Sequence, residues 1–160
     1  MNPDTLDATD LRLLELLQQD ASLTNKALAE LAHVSPATCL RRVRQLEESG
    51  VIERRVAILS PEKLGNSLIA IVEVTLDQQG QEQLDAFAAR VTADTAVQQC
   101  YRVSGGADFV LILHIRDMAA YHACAHRLFA SDMNVRNVRT LFSIYREKCS
   151  LQLPLPARKD

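Results

Sequence analysis

Residues 34–47 read Val34-Ser35-Pro36-Ala37-Thr38-Cys39-Leu40-Arg41-Arg42-Val43-Arg44-Gln45-Leu46-Glu47. Ser35 is a strong helix N-cap, and Pro36 has the backbone angle of a first helical residue. At about 100° per residue, Cys39, Leu40, Val43 and Leu46 fall on one side of the helix. Arg41 points away from them, flanked by Arg42 and Arg44. Ala37 and Thr38 share the outward face near the helix start. A helix of this kind packs by one face and offers guanidinium groups, a methyl and a hydroxyl on the other. Those groups suit phosphates and base edges in a major groove; an isolated surface helix with solvated arginines would show the same pattern.

The preceding residues decide between these readings. Asp7 caps a helix over residues 8–19, with Asp10 at its positive end and an apolar stripe of Leu11, Leu13, Leu14 and Leu17. Thr24 caps a short helix carrying Ala27, Leu28 and Leu31. His33-Val34 then turns tightly into the Ser35 cap, with His33 a partly exposed turn residue. Helix, short helix, turn and arginine helix make a helix-turn-helix, whose second helix enters the major groove. The Thr24 and Ser35 helix ends suit phosphates. Gly50 ends the arginine helix, and residues 51–59 read as an extended strand or linker. Arg54 and Arg55 there either add phosphate contacts or are simply solvated.

The 160 residues allow one or two small domains, and a net charge of −2 does not announce nucleic acid. The first 60 residues hold seven Lys+Arg against nine Asp+Glu, which counts against a strong non-specific DNA binder but not against one that concentrates its arginines on a single face and binds as an oligomer. Asp4, Asp7 and Asp10 and the lack of an apolar segment argue against a signal peptide. The longest apolar run, residues 68–72, is too short to span a membrane. Four scattered cysteines (39, 100, 124 and 149) without CxxC spacing fit reduced thiols in a cytoplasm. Cys39 and Cys100 read as small core residues.

In the second half a break at 60–65 precedes a strand over 68–76, a helix over 81–91, a strand over 97–104, a turn at 105–107, a strand over 108–115, a helix over 118–130 and a strand over 135–145. This βαββαβ order predicts a ferredoxin-like antiparallel sheet with two helices on one face. The other face, built from apolar strands, is the expected dimer surface. Within Ser104-Gly105-Gly106-Ala107-Asp108 the glycines permit a tight hairpin and close backbone approach by a ligand. Asp108 either pairs with a ligand ammonium or is a turn residue, and spacing alone favours the turn. No phosphate loop is present. His122 and His126 share a helix face, but Cys124 points elsewhere and His114 lies on a separate strand, so no metal site is expected. Nothing supports a nucleophilic catalytic group or a cofactor.

The chain closely resembles the leucine-responsive/asparagine-operon regulator (Lrp/AsnC) family from Leu6-Asp7 to about Leu151. The resemblance is carried by Leu6-Asp7-x-x-Asp10, Leu23-Thr24-Asn25, Leu28-Ala29, Val34-Ser35-Pro36-x-x-Cys39-Leu40-Arg41-Arg42-Val43, Gly50-Val51-Ile52, Val103-Ser104-Gly105-x-x-Asp108, Asp117-Met118-x-x-Tyr121 and Val138-Arg139-Thr140. It implies an α+β protein, with a winged-type helix-turn-helix DNA-binding domain over residues 1–51 and a linker strand and turn over 52–66. A ferredoxin-like effector-binding and oligomerisation domain follows over 67–151, and a tail over 152–160. It implies a non-enzymatic, cytoplasmic prokaryotic transcription regulator, nucleoid-associated when bound to pseudo-palindromic double-stranded DNA. It also implies a homodimer assembling to an octamer and an amino-acid effector bound between dimers. The expected DNA-binding residues are Thr24, Asn25, Ser35, Ala37, Thr38, Arg41, Arg42 and Arg44, with Arg41 and Thr38 on base edges. The expected effector residues are Arg102, Val103, Gly105, Ala107, Asp108, Met118, Thr140, Leu141, Phe142 and Ser143, with Asp108 on the ligand's amino group. Arg102 and Ser143 stand where leucine-responsive members carry aliphatic residues. A guanidinium at 102 either pairs with a ligand carboxylate or fills the pocket, which argues for an effector more polar than leucine, or for none.

Two other readings fit the same layout. Sirohaem decarboxylases resemble this two-domain fold and use a pocket between the halves, with His114 or His122 available as an active-site residue; the intact arginine helix and the lack of a propionate-binding cluster argue against it. A sensor acting on a protein partner would leave the helix-turn-helix idle.

Overall fold

The computed structural model describes residues 6–65 and 68–156. Asp4 and the expected domain limits at residues 1, 66, 67 and 160 lie outside the described residues. The chain divides into two compact units, Met1–Ile58 with Lys148–Asp160, and Leu59–Glu147.

In the first unit three helices pack together: α1 (Ala8–Gln19), α2 (Asn25–Ala32) and α3 (Pro36–Glu48). Each has the expected cap. Asp7 accepts from the backbone N–H of Thr9 and Asp10, both at 2.9 Å, while Asp10 returns a bond to the Asp7 N–H, a reciprocal capping box. Thr24 Oγ1 accepts from the Ala27 N–H, and Ser35 Oγ from the Thr38 N–H. His33 ends α2 in the left-handed conformation, φ 57°, which lets the chain turn within two residues into the Ser35 cap. The core joins Leu13 and Leu16 of α1, Leu28, Ala29 and Ala32 of α2, and Cys39 and Val43 of α3, with Leu17, Leu23 and Val34 around it.

After Gly50 the chain is exposed and without regular secondary structure over residues 53–59, and no ladder partner is found for it among the described residues. The tail does not stand apart. Gln18 of α1 holds it with its side-chain amide, which accepts from the Leu153 N–H at 2.6 Å and donates to the Leu153 carbonyl at 3.1 Å. Gln152 Nε2 donates to the Gln18 carbonyl at 3.2 Å. One glutamine thus satisfies both backbone groups of one tail residue, as a neighbouring strand would.

The second unit opens with a short 3₁₀ turn, Glu62–Leu64, and continues β1 (Leu68–Leu76), α4 (Gln81–Thr92), β2 (Val97–Arg102), β3 (Phe109–Ile115), α5 (Met118–Ala125) and β4 (Val135–Phe142). The four strands form an antiparallel sheet in the order β2-β3-β1-β4. This is the expected ferredoxin-like arrangement. β1 and β3 bury alternate residues: Ala70, Val72, Val74 and Leu76 meet Phe109, Leu111, Leu113 and Ile115 under α4 and α5. Phe87 and Val91 of α4 and Cys124 of α5 close this core, and the Phe87 and Phe109 rings lie 4.7 Å apart. The other face presents half-buried Ile69, Ile71, Val110 and Ile112.

The helix expected over 118–130 is not uniform. α5 gives way to a π-helical turn, His126–Ala130, which buries Leu128 and Phe129. A π turn holds an extra residue per turn, and so shifts which side chains face the sheet. Three strands are shorter than expected, β2 and β3 because residues 103–108 form the hairpin, and β4 because the chain leaves the ladder after Phe142. Among the described residues no helix is long and apolar enough to cross a membrane.

Candidate functional site

α3 buries Cys39, Val43 and Leu46 at 0%, 6% and 1% exposure. Leu40, expected with them, is 43% exposed. It lies at the margin of the apolar side, where the bundle does not reach, and joins Ala37, Arg41, Arg44, Gln45 and Glu48 around a shallow hollow of about 490 Å³. Leu40, Gln45 and Glu48 are additions to the expected face; their helical spacing from Arg41 and Arg44 was the available signal. No described residue forms an ion pair or hydrogen bond with Arg41 or Arg44. Two guanidiniums are therefore available on the outward side.

Arg42 does not join them. Its Nη1 donates to Asp7 Oδ2 at 2.6 Å and to Asp10 Oδ1 at 2.9 Å. One residue is a 100° step, so Arg42 falls toward Leu46 and the first turn of α1 rather than beside Arg41. Its charge is committed to the capping box rather than to the outward, DNA-binding face expected for it. Burial works to raise the Asp7 pKa, but the Asp10 N–H and the Arg42 guanidinium outweigh it and hold the carboxyl below its ordinary value. Asn25 is also taken into the scaffold, its amide donating to the Pro36 carbonyl at 2.9 Å and tying α2 to the start of α3. The Thr38 hydroxyl shares a hydrogen bond with Ser35 at 2.8 Å. Arg55 pairs with Glu47 at 2.8 Å.

In the second unit the expected effector residues form two groups. Arg102, Val103, Gly105, Ala107 and Asp108 belong to the hairpin joining β2 to β3. Thr140, Leu141, Phe142 and Ser143 belong to β4 and its end, where the Ser143 N–H meets the Ile69 carbonyl at 2.9 Å. Met118 begins α5 directly after the end of β3. β2 and β4 are the two outer strands. Three strand spacings, about 14 Å, separate them. Along the strands the groups also diverge: Phe109, next to the hairpin, pairs with Val74, whereas Phe142 pairs with Ala70. One chain therefore does not bring the two groups into one pocket.

Gly105 has φ +133°, a conformation that side chains rarely adopt, and the hairpin needs it. Asp108 Oδ2 accepts from the Leu76 N–H at 2.7 Å and from Gln79 Nε2 at 3.2 Å, so the carboxylate caps the end of β1. Arg102 lies on the helix-covered side, 2.7 Å from Asp85 of α4 and over the Phe109 ring. This internal pair competes with both functions weighed for its guanidinium, ligand pairing and pocket filling. Asp85 is held below its ordinary pKa, first by the Arg102 hydrogen bond and then by Gln81.

Thr140 lines a cavity of about 670 Å³ with Tyr121, His122, His126, Arg136 and Asn137. The Tyr121 and Thr140 hydroxyls are hydrogen-bonded, and the Tyr121 ring meets Phe142 edge-on at 4.9 Å. The four-residue spacing of His122 and His126 signalled their shared face, and it is Thr140, across on β4, that turns that face into a cavity wall. No group of three or more His, Cys, Asp or Glu suited to a metal ion occurs among the described residues.

A family model described as winged helix-turn-helix DNA-binding matches residues 6–53, and one described as Lrp/AsnC ligand binding domain matches residues 69–153. The chain belongs to the Lrp/AsnC family. The leucine-responsive regulatory protein of Rhizobium meliloti is 38% identical over 94% of this chain and 96% of its own length. An AsnC family transcriptional regulator from Agrobacterium tumefaciens superposes with a TM-score of 0.89 at 34% identity, covering 94% of this chain and 97% of that one. A Neisseria meningitidis transcriptional regulator, crystallised with L-Met, gives 0.89 at 33% identity over the same shares. As an Lrp/AsnC protein the chain is a transcriptional regulator with a DNA-binding helix-turn-helix and a domain for a small-molecule ligand.

Proposed function

We propose that this Lrp/AsnC regulator reads pseudo-palindromic double-stranded DNA through the outward face of α3 and is modulated by an amino acid held between copies of the chain. Arg41 and Arg44 are the cations on that face, with Ala37 and Thr38 toward its N-terminal end and the Ser35 and Thr24 caps toward the phosphates. Two such helices, one per protomer of a dimer, match the two half-sites of a pseudo-palindrome. The half-buried apolar sheet face of Ile69, Ile71, Val110 and Ile112 supports dimerisation by that surface.

The observation that carries the regulatory reading is the separation of the effector residues to opposite corners of one sheet. A site using both groups takes the hairpin of one copy and β4 with α5 of another, so ligand occupancy and assembly are linked. The Neisseria relative's complex with L-Met supports an amino acid as the ligand class. Higher assembly up to an octamer follows if the corner contacts repeat around a ring. Selection of bound DNA from a random pool, with and without a mixture of the twenty amino acids, tests both halves. The expected result is an enriched pseudo-palindrome whose recovery changes with the mixture. Enrichment indifferent to every amino acid would sink the effector reading, and a folded protein that enriches nothing would sink the DNA reading.

A further inference from the structure

We infer that Leu40 reads the 5-methyl group of a thymine in each half-site. Leu40 is the large apolar side chain that α3 leaves 43% exposed, three residues from Ala37 and beside Arg41 and Arg44, which have no partner among the described residues. The bundle core has no use for it, since Cys39 and Val43 fill the contact with α1 and α2. In a major groove the thymine methyl is the apolar group that base edges offer, and an aliphatic side chain is its natural partner. The flanking guanidiniums bring the helix against phosphates and purine edges, which presses Leu40 and Ala37 onto whatever lies between. Arginine contacts alone would select guanine or backbone; Leu40 adds a preference for an A·T pair at a neighbouring position.

This inference rests on α3 being the groove-facing helix, and the test separates the two. The preferred DNA site of the full-length protein is first selected from a random pool. Each thymine of that site is then replaced singly by deoxyuridine, which lacks only the methyl, and affinity is measured at fixed salt by fluorescence anisotropy. Removal of the single methyl that one Leu40 meets is expected to weaken binding about four-fold. Leu40→Ala, which changes both protomers of the dimer, is expected to bind the intact site about sixteen-fold more weakly and to lose the response at the corresponding thymine of each half-site, with the others unchanged. Leu40→Met, with an apolar tip of similar size, is expected to retain the response. A Leu40→Ala profile identical to that of the native protein, or native binding indifferent to every replacement, overturns the role of Leu40 while leaving α3 as the reader. A native protein that enriches no site overturns both.

Discussion

Arg41 and Arg42 are adjacent in sequence and opposite in use. Arg41 has no partner among the described residues, and Arg42 is closed in by Asp7 and Asp10. Arg41→Ala is therefore expected to weaken DNA binding by ~1–3 kcal/mol and relax specificity at one base position. Arg42→Ala should instead act on folding, because it leaves the 7%-exposed Asp10 without its cation. A loss of about 2 kcal/mol in denaturant unfolding is expected, with an unchanged salt dependence of DNA binding. A steep change in salt slope for Arg42→Ala would show that it touches phosphate after all. The same pair gives a pH dependence. Asp7 binds its proton less tightly folded than unfolded, so its contribution is complete above its ordinary value of 3.8 and fades as pH falls through the lower native value. Asp7→Asn, which keeps the cap but not the charge, should flatten the acid limb of a stability-against-pH curve; an unaltered acid limb would exclude Asp7 as its source.

The helices and strands were largely legible in the chain. Asp7, Thr24 and Ser35 each cap the helix they announce, and the alternation in β1 and β3 points the right residues inward. Ser35→Ala should lower unfolding stability by about 1 kcal/mol through the start of α3, measurable by denaturant titration. Gly105→Ala should lower it by about 1 kcal/mol or more, since the hairpin holds φ +133°, and a thermal melt equal to that of the native protein would refute that strain. What could not be read was which partner each side chain would meet across the fold. Arg42 finds its carboxylates more than thirty residues away, and Arg102 finds Asp85 on a helix that sequence periodicity does not dock. Leu40 has the periodicity of a core residue, and only the limited reach of a three-helix bundle leaves it outside. The π turn after Ala125 left no mark either, because its residues continue the apolar pattern of α5.

Shared sites make the behaviour of mixtures informative. If the effector lies between the hairpin of one copy and β4 of another, Asp108→Ala and Thr140→Val proteins should each lose ligand response. An equimolar mixture, assembled from unfolded chains, should regain about a quarter of the native sites. Calorimetric titration of the mixture checks this, and a mixture as silent as its components would place the whole site in one chain. Ile71→Asp with Ile112→Asp should shift the sedimenting species to monomer. The contact between Gln18 and Leu153 has a different consequence. It places both ends of the described chain in the DNA-reading unit, so the ligand-binding domain is spliced into that unit's sequence as an insertion, with one connecting lead before it and one after. A nick within residues 53–59 would sever only one lead, and the fragment bearing α1, α2 and α3 would remain hooked through Gln18 to the tail of the other.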